Sequence, residues 1–304
     1  MLGWLLDGDP AVRWQVLADL MDGPVDDVAA ARALVGVEGW GARLLSRQDA
    51  DGRWGAALYS PKFTSTTYTL LLLMRLGLAP DDPRARLGVE RLWAGASRYD
   101  GGLMLAPSVH RPEACITAML VHLAVYFGHT EPGVDEAVSW LLAQQLPDGG
   151  WNCRSVRDGS RHGSFHTTIL ALEALAAYQP RGPIGVAAAI RGGQQFLLDH
   201  RLCRAHRTGE LVDQRYLRFP FPPGWRYDTV RALEHFRAVD AQPDPRMTEG
   251  LTALAPFTGA EQRWPRQPVY SGRYWFTLEP PGPSRLATLR ALRVLRWWCG
   301  GNPG

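Results

Sequence analysis

Four cysteines, eight histidines and a cation set that is almost wholly arginine are the residues with which this chain could do chemistry. Cys115, Cys153, Cys203 and Cys299 form no C-x-x-C pair, so local spacing reads out no ribbon-type zinc site. A cytosolic chain keeps such thiols reduced, and a buried reduced thiol behaves as a small hydrophobe. Of 33 basic residues only Lys62 is a lysine. Arginine grips phosphate bidentately, so the composition suits a phosphorylated ligand. These arginines are spread along the chain and balanced by 30 acids. Nucleic acid would call instead for basic blocks interleaved with aromatics, and is not expected as a partner.

The 304 residues, 46% hydrophobic and 21% charged, suffice to bury a large core. Disorder, collagen-like structure and a small disulfide scaffold are thereby excluded. The longest apolar run, residues 70–74, falls far short of the ~20 needed to span a bilayer. Asp7 and Asp9 stand where a secretory signal would carry a basic and then an apolar segment. The expected location is the cytoplasm, with peripheral attachment to a membrane surface left open.

What must position the reactive residues is a repeat of about fifty residues. Asp51-Gly52-Arg53-Trp54, Asp100-Gly101-Gly102-Leu103 and Asp148-Gly149-Gly150-Trp151 recur at intervals of 49 and 48. Two of them extend into Q-x-x-x-G-x-W: Gln48-Gly52-Trp54 and Gln145-Gly149-Trp151. Amphipathic helices such as 134–145 precede the motif, and more apolar helices follow it over 65–76, 113–127 and 165–178. Weaker units place apolar helices near 227–236 and 284–298. The D-G pair reads as a turn in which Gly supplies positive φ, the Trp stacks on helix ends, and the Gln bonds exposed carbonyls. Apolar helices form an inner layer and amphipathic ones an outer layer, closed as a double ring or open as a solenoid.

The Q-x-x-x-G-x-W motif with its helix pairs resembles the superfamily of squalene and oxidosqualene cyclases and protein prenyltransferase β-subunits, with its QW-type repeats. The resemblance covers residues 40–298 and implies an all-α fold, an α/α toroid. It implies one domain over 1–304: an N-terminal helical extension to residue 40, repeats over 41–298 and a tail over 299–304. In such a ring the N-terminal ends of the inner helices meet at one cavity mouth.

The starts of those helices carry the candidates. Ser65, Ser164, Asp228 and Ser284 read first as helix caps. Glu113-x-Cys115, followed one repeat later by His166-Thr167, resembles the zinc set of the prenyltransferase β-subunits. The resemblance thus implies Glu113, Cys115 and His166 as zinc ligands, all chemically good donors. Cys153, in the loop after Trp151, reaches the same metal as a fourth ligand or is a buried thiol beneath Trp151. Lys62, Tyr68, His110 and Arg111 flank this point as donors for a diphosphate, and Trp225 and Tyr227 belong to an aromatic set that could shape an isoprenoid pocket.

No D-x-D-D or D-D-x-x-D motif is present, leaving Asp228 as the lone acid for a protonation-initiated reaction. The first functional expectation is a zinc-containing, prenyltransferase-like enzyme acting on an isoprenoid diphosphate or related lipid, with a partner subunit left open. Tyr68 is its candidate catalytic residue, and Asp228 is that of the cyclase alternative. Two alternatives stand beside it. One is a metal-free single-domain cyclase using Asp228, and the other is a binding or scaffold toroid with structural zinc.

Overall fold

The computed structural model describes residues 1–106, 109–131, 133–182, 185–255 and 263–300; the last four residues of the expected tail lie outside them. The fold is predominantly helical, with two short strands among the described residues. The chain opens with α1 (Leu2–Leu6), α2 (Pro10–Asp19), α3 (Val25–Ala33) and α4 (Gly39–Leu45). Asp9 caps α2 by accepting the Ala11 N–H at 2.9 Å, and its other oxygen accepts the Trp40 N–H at 2.8 Å. One carboxylate therefore ties α4 to the start of α2.

Next come α5 (Thr66–Leu76), α6 (Pro83–Gly95), β1 (Ser97–Tyr99), β2 (Gly102–Met104), α7 (Ala114–Tyr126), α8 (Gly133–Ala143) and the single turn α9 (Ser155–Asp158). The chain continues through α10 (Phe165–Tyr178), α11 (Val186–Asp199), α12 (Thr229–Ala238), the short α13 (Thr248–Leu251) and α14 (Arg285–Trp298). The expected apolar helices are therefore present, with ends displaced by at most two residues. α12 begins at Thr229 because Asp228 is its cap. The stretch after α6 is a β-hairpin. Asp100 and Gly101 both take positive φ, +52° and +86°, the geometry of a two-residue hairpin turn.

α5, α7 and α10 are buried over most of their length, and α7 packs on both of the others. α10 then packs on α12, α12 on α14, and α14 on α2. α6, α8 and α11 lie on the outside of this succession. α6 buries Ala85, Val89, Leu92 and Trp93 at helical spacing and exposes Glu90 and Arg91. No helix among the described residues is long and apolar enough to cross a membrane.

One local device recurs. Trp54 and Trp151 are fully buried, and each donates its indole N–H to the carbonyl ten residues earlier, Leu44 and Leu141, at 2.8 Å. Their backbone N–H groups go to threonine hydroxyls at the head of the next helix, Thr66 and Thr168, both at 3.0 Å. Gln48 and Gln145 each bridge two backbone carbonyls of the turn and the following outer helix. The same arrangement appears where the motif is absent. Trp264 bonds Leu254 through its ring at 3.1 Å and Thr288 through its backbone at 2.9 Å. Leu103 N–H likewise meets Thr117 at 3.0 Å.

The interior between α5, α10, α12 and α14 is charged. Glu173 on α10 is bound by Arg75 of α5 at 3.0 Å and Arg231 of α12 at 2.6 Å. Glu234 on α12 is bound by Arg290 at 2.8 Å and by Arg293, both of α14. Burial alone would raise the pKa of Glu173, but its two arginines hold it well below the usual range.

The stretch Phe219-Pro220-Phe221-Pro222-Pro223, a lid or a long connection by sequence, runs through the inside. Phe219, Pro220, Pro222 and Pro223 are buried. Arg290 donates to the Phe219 carbonyl at 3.0 Å, and Arg231 to those of Gly224 at 3.2 Å and Arg226 at 2.5 Å.

Trp54→Ala or Trp151→Ala removes a fully buried indole and its hydrogen bond to one backbone carbonyl, so either should cost about 3–5 kcal/mol. Chemical denaturation measures this, and a midpoint unchanged from the parent would refute the structural role.

Candidate metal centre and its surroundings

Glu113, Cys115 and Cys153 each place a ligand atom so that all three lie within 4.8 Å of one another. They come from two consecutive repeats. Glu113 is the N-cap residue of α7 but its side chain makes no capping bond. Cys115 stands on the first turn of that helix. Cys153 sits two residues after Trp151, where its backbone N–H meets the Thr167 hydroxyl at 3.2 Å. Successive threonines, Thr167 and Thr168, therefore hold the loop that carries the second thiol. Both cysteines are half-buried and unpaired by disulfide.

The two thiols share a hydrogen bond that raises the pKa of Cys115, a change burial reinforces, and lowers that of Cys153, which the Thr167 hydroxyl also favours. Burial raises the pKa of Glu113, opposed by Arg157 and Lys62. Arg157, on α9, lies 3.8 Å from that carboxylate. The arrangement is a group that could hold a metal ion, flanked by two cations.

Lys62 belongs to these surroundings. Its ammonium lies 5.0 Å from the Trp225 ring and 5.7 Å from that of Tyr59. Burial and Arg226 lower its pKa, while Cys115 and Glu113 act in the opposite sense. Tyr68 is buried, with its hydroxyl 3.4 Å from that of Tyr59. Burial pushes Tyr59 up to about 12 and Tyr68 higher still, so both remain phenols. From Tyr68 a series of ring contacts continues to Phe63 at 5.4 Å and on to Tyr274 at 4.5 Å. Phe63 and Tyr274 help line a pocket of about 710 Å³ whose walls include Leu72, Phe219, Phe221, Trp275 and Leu286. Its few polar members are largely occupied: Glu279 accepts from Ser284 and from the Arg285 N–H.

The other expected residues are placed differently. His166 lies outside the three-donor group. Its Nδ1 accepts the Tyr227 N–H at 2.8 Å, and its ring packs edge-on against Trp225 at 4.9 Å. Burial and Arg226 lower its pKa to about 4, so the ring is neutral with its proton on Nε2. Tyr227 is buried and gives its hydroxyl to the Leu202 carbonyl at 2.5 Å. His110 and Arg111 are exposed, and Arg111 donates to the Val156 carbonyl at 3.2 Å. Asp228 is inaccessible; it caps α12 through the Arg231 N–H at 2.7 Å and pairs with Arg290 at 3.3 Å. Of the four expected caps, Ser284 also bonds its helix, whereas Ser65 and Ser164 do not. Ser65 donates instead to the Tyr59 carbonyl at 2.9 Å.

Sequence reading passed over Arg157 and the charged interior. A lone Glu173 or Arg75 inside an otherwise apolar helix was the available signal, since a buried charge demands a partner. His122, in the middle of α7, lies 4.0 Å from Glu173.

No family model of known proteins matches the chain, and no curated protein matches it. Among solved structures it is similar to a crystal structure of a protein from Actinoplanes, at 18% identity and a TM-score of 0.48, covering 96% of this chain and 90% of that one.

Burial lowers the pKa of His122 and of His235 to about 4; Glu173 favours both cations, and Arg75 and Arg231 disfavour that of His122. An unfolded chain protonates these rings near pH 6.5. Between pH 6.5 and 4 the unfolded state thus binds more protons, and stability should fall as pH falls through that window by several kcal/mol, on the order of 2–3 per ring. Denaturation at pH 7 and pH 4.5 measures it, and His235→Gln should flatten the dependence.

Proposed function

We propose that the chain closes into an α/α toroid of the superfamily it resembles and works as a zinc-containing, prenyltransferase-like enzyme on an isoprenoid diphosphate or related lipid. Closure draws support from the succession α5, α7, α10, α12, α14 and its return to α5 through α2 and α4. The observation that carries the chemical reading is the convergence of Glu113, Cys115 and Cys153. Two thiolates and a carboxylate form a donor set suited to zinc, and three protein donors are the complement of an open, catalytic zinc site. Zinc held there would keep a thiol or a water in its deprotonated, nucleophilic form.

The remaining roles fall to the chain's own side chains. Lys62, poised over two aromatic faces, and Arg157 would neutralise the oxygens of a diphosphate. The apolar pocket beyond Phe63 and Tyr68 would take the hydrocarbon and exclude water from it. The cyclase alternative has less to draw on, because Asp228 is committed to a cap and an arginine.

Elemental analysis after zinc loading should find one zinc per chain. Cys115→Ser and Cys153→Ser should each lose most of it, whereas His166→Ala should keep it. Absence of zinc, or equal loss in His166→Ala, would refute the assigned ligands. Chelation should leave the helical circular dichroism intact; unfolding on zinc removal would instead support the scaffold with a structural metal.

A further inference from the structure

A second cleft, of about 760 Å³, lies away from the metal group, between α2 and α3 on one side and the C-terminal ends of α5 and α7 on the other. Its lining carries four arginines, Arg32, Arg75, Arg290 and Arg293, against one acid, Glu234. Two of these arginines are already neutralised: Arg290 and Arg293 share Glu234 and draw further on Asp228 and Asp19.

Arg32 is not, and Arg75 is matched only in part. Arg32 has no carboxylate among the described residues. Its Nε donates to the Gly77 carbonyl and its Nη2 to the Tyr126 hydroxyl, both at 2.9 Å. Those two bonds, together with the Trp14 ring 5.0 Å from its guanidinium, fix the group in place. Arg75, two residues before Gly77 on the same helix end, must share the single carboxylate of Glu173 with Arg231. Burial lowers its pKa, and Arg231 adds to the effect against the pull of Glu173. An anion arriving between Arg32 and Arg75 would relieve both groups. Apart from Gln15 and Tyr126, the rest of the wall is apolar and partly aromatic, with Trp14, Met74, Phe221 and Leu289 beside them.

We infer that this cleft binds an organic phosphate monoester, its dianion held between Arg32 and Arg75 and its apolar portion against Trp14 and Phe221. Two guanidinium groups short of counter-charge favour a dianion over a carboxylate, and the planar fork of Arg suits phosphoryl oxygens. The inference is independent of zinc and of the proposed reaction.

Calorimetric titration of the full chain with phenyl phosphate tests it. Phenyl phosphate should bind, inorganic phosphate should bind about tenfold more weakly for want of the aromatic contact, and benzoate should also bind more weakly. Arg32→Gln, which keeps a donor for the Gly77 carbonyl, should weaken phenyl phosphate by about tenfold or more, with Arg32→Lys falling between. Melting curves confirm that the variants are folded. Cys115→Ser should leave the affinity unchanged, which separates this cleft from the metal group. Undetectable binding at millimolar phenyl phosphate, an affinity unaltered in folded Arg32→Gln, or loss in Cys115→Ser would each overturn the assignment.

Discussion

The backbone N–H of a fully buried tryptophan must find an acceptor inside the protein, and here it finds a threonine hydroxyl at the head of the next apolar helix. That bond decides where each loop lies relative to the helix it precedes. The indole N–H, sent back to a carbonyl ten residues earlier, locks the other end of the same loop. In the third repeat the consequence is chemical. Trp151 on Thr168 and Cys153 on Thr167 are two consecutive pegs, and they bring a thiol of one repeat to the thiol of the repeat before. A feature that serves packing in three places thereby builds a donor group in one of them.

The charged interior limits where an apolar substrate could lie. A single open bore lined by hydrocarbon is not what the apolar helices provide. α5, α10, α12 and α14 hold Arg75, Glu173 and Arg231 in one paired set and Glu234, Arg290 and Arg293 in another. Such buried pairs add little net stability, because desolvation offsets much of their attraction, yet losing one partner is costly. The segment from Phe219 to Gly224 is held by the same arginines through its carbonyls. The interior is thus partitioned. Phe221 and Leu286 stand in the walls of both the apolar pocket and the arginine-rich cleft. An apolar ligand is confined to the Phe63 and Tyr274 side, which is also the side of Lys62 and Tyr68.

Most of the helical layout was legible because hydrophobic periodicity and the D-G turns report directly on local structure. The 165–178 helix emerges with both ends as expected, whereas in the last, weaker unit the helix was legible but the role of Trp264 was hidden. Positions two and six before it hold Gln262 and Thr258 where the motif has Gly and Gln, so the pattern vanishes although the hydrogen bonds persist. The charged interior was hidden for another reason. Arg75 and Glu173 each look like a single odd residue in an apolar helix, α12 and α14 carry several charges apiece, and only packing of the four helices shows that these neutralise one another. Within the site, Glu113 and Cys115 could be named from the resemblance and Cys153 from its place in the loop after Trp151. The orientation of the histidine could not, since it depends on a backbone N–H contributed sixty-one residues away.

That orientation decides which donors the group can offer. A neutral imidazole has one lone pair, and His166 has committed its own to the Tyr227 N–H, leaving a proton on Nε2. Coordination by His166 would require it to give up that bond and leave a peptide N–H without its acceptor, a cost of about 1–3 kcal/mol where no water replaces it. Cys153 carries no such burden. The sulfur's partner is the other thiol, and a shared proton between two sulfurs is lost when both bind a cation. The backbone that holds Cys153 in place is satisfied independently by Thr167, so nothing in the loop has to move for the exchange. A dication in contact with both sulfurs would therefore find its ligands already gathered, and the imidazole, its lone pair committed to the Tyr227 N–H, would stay outside the centre.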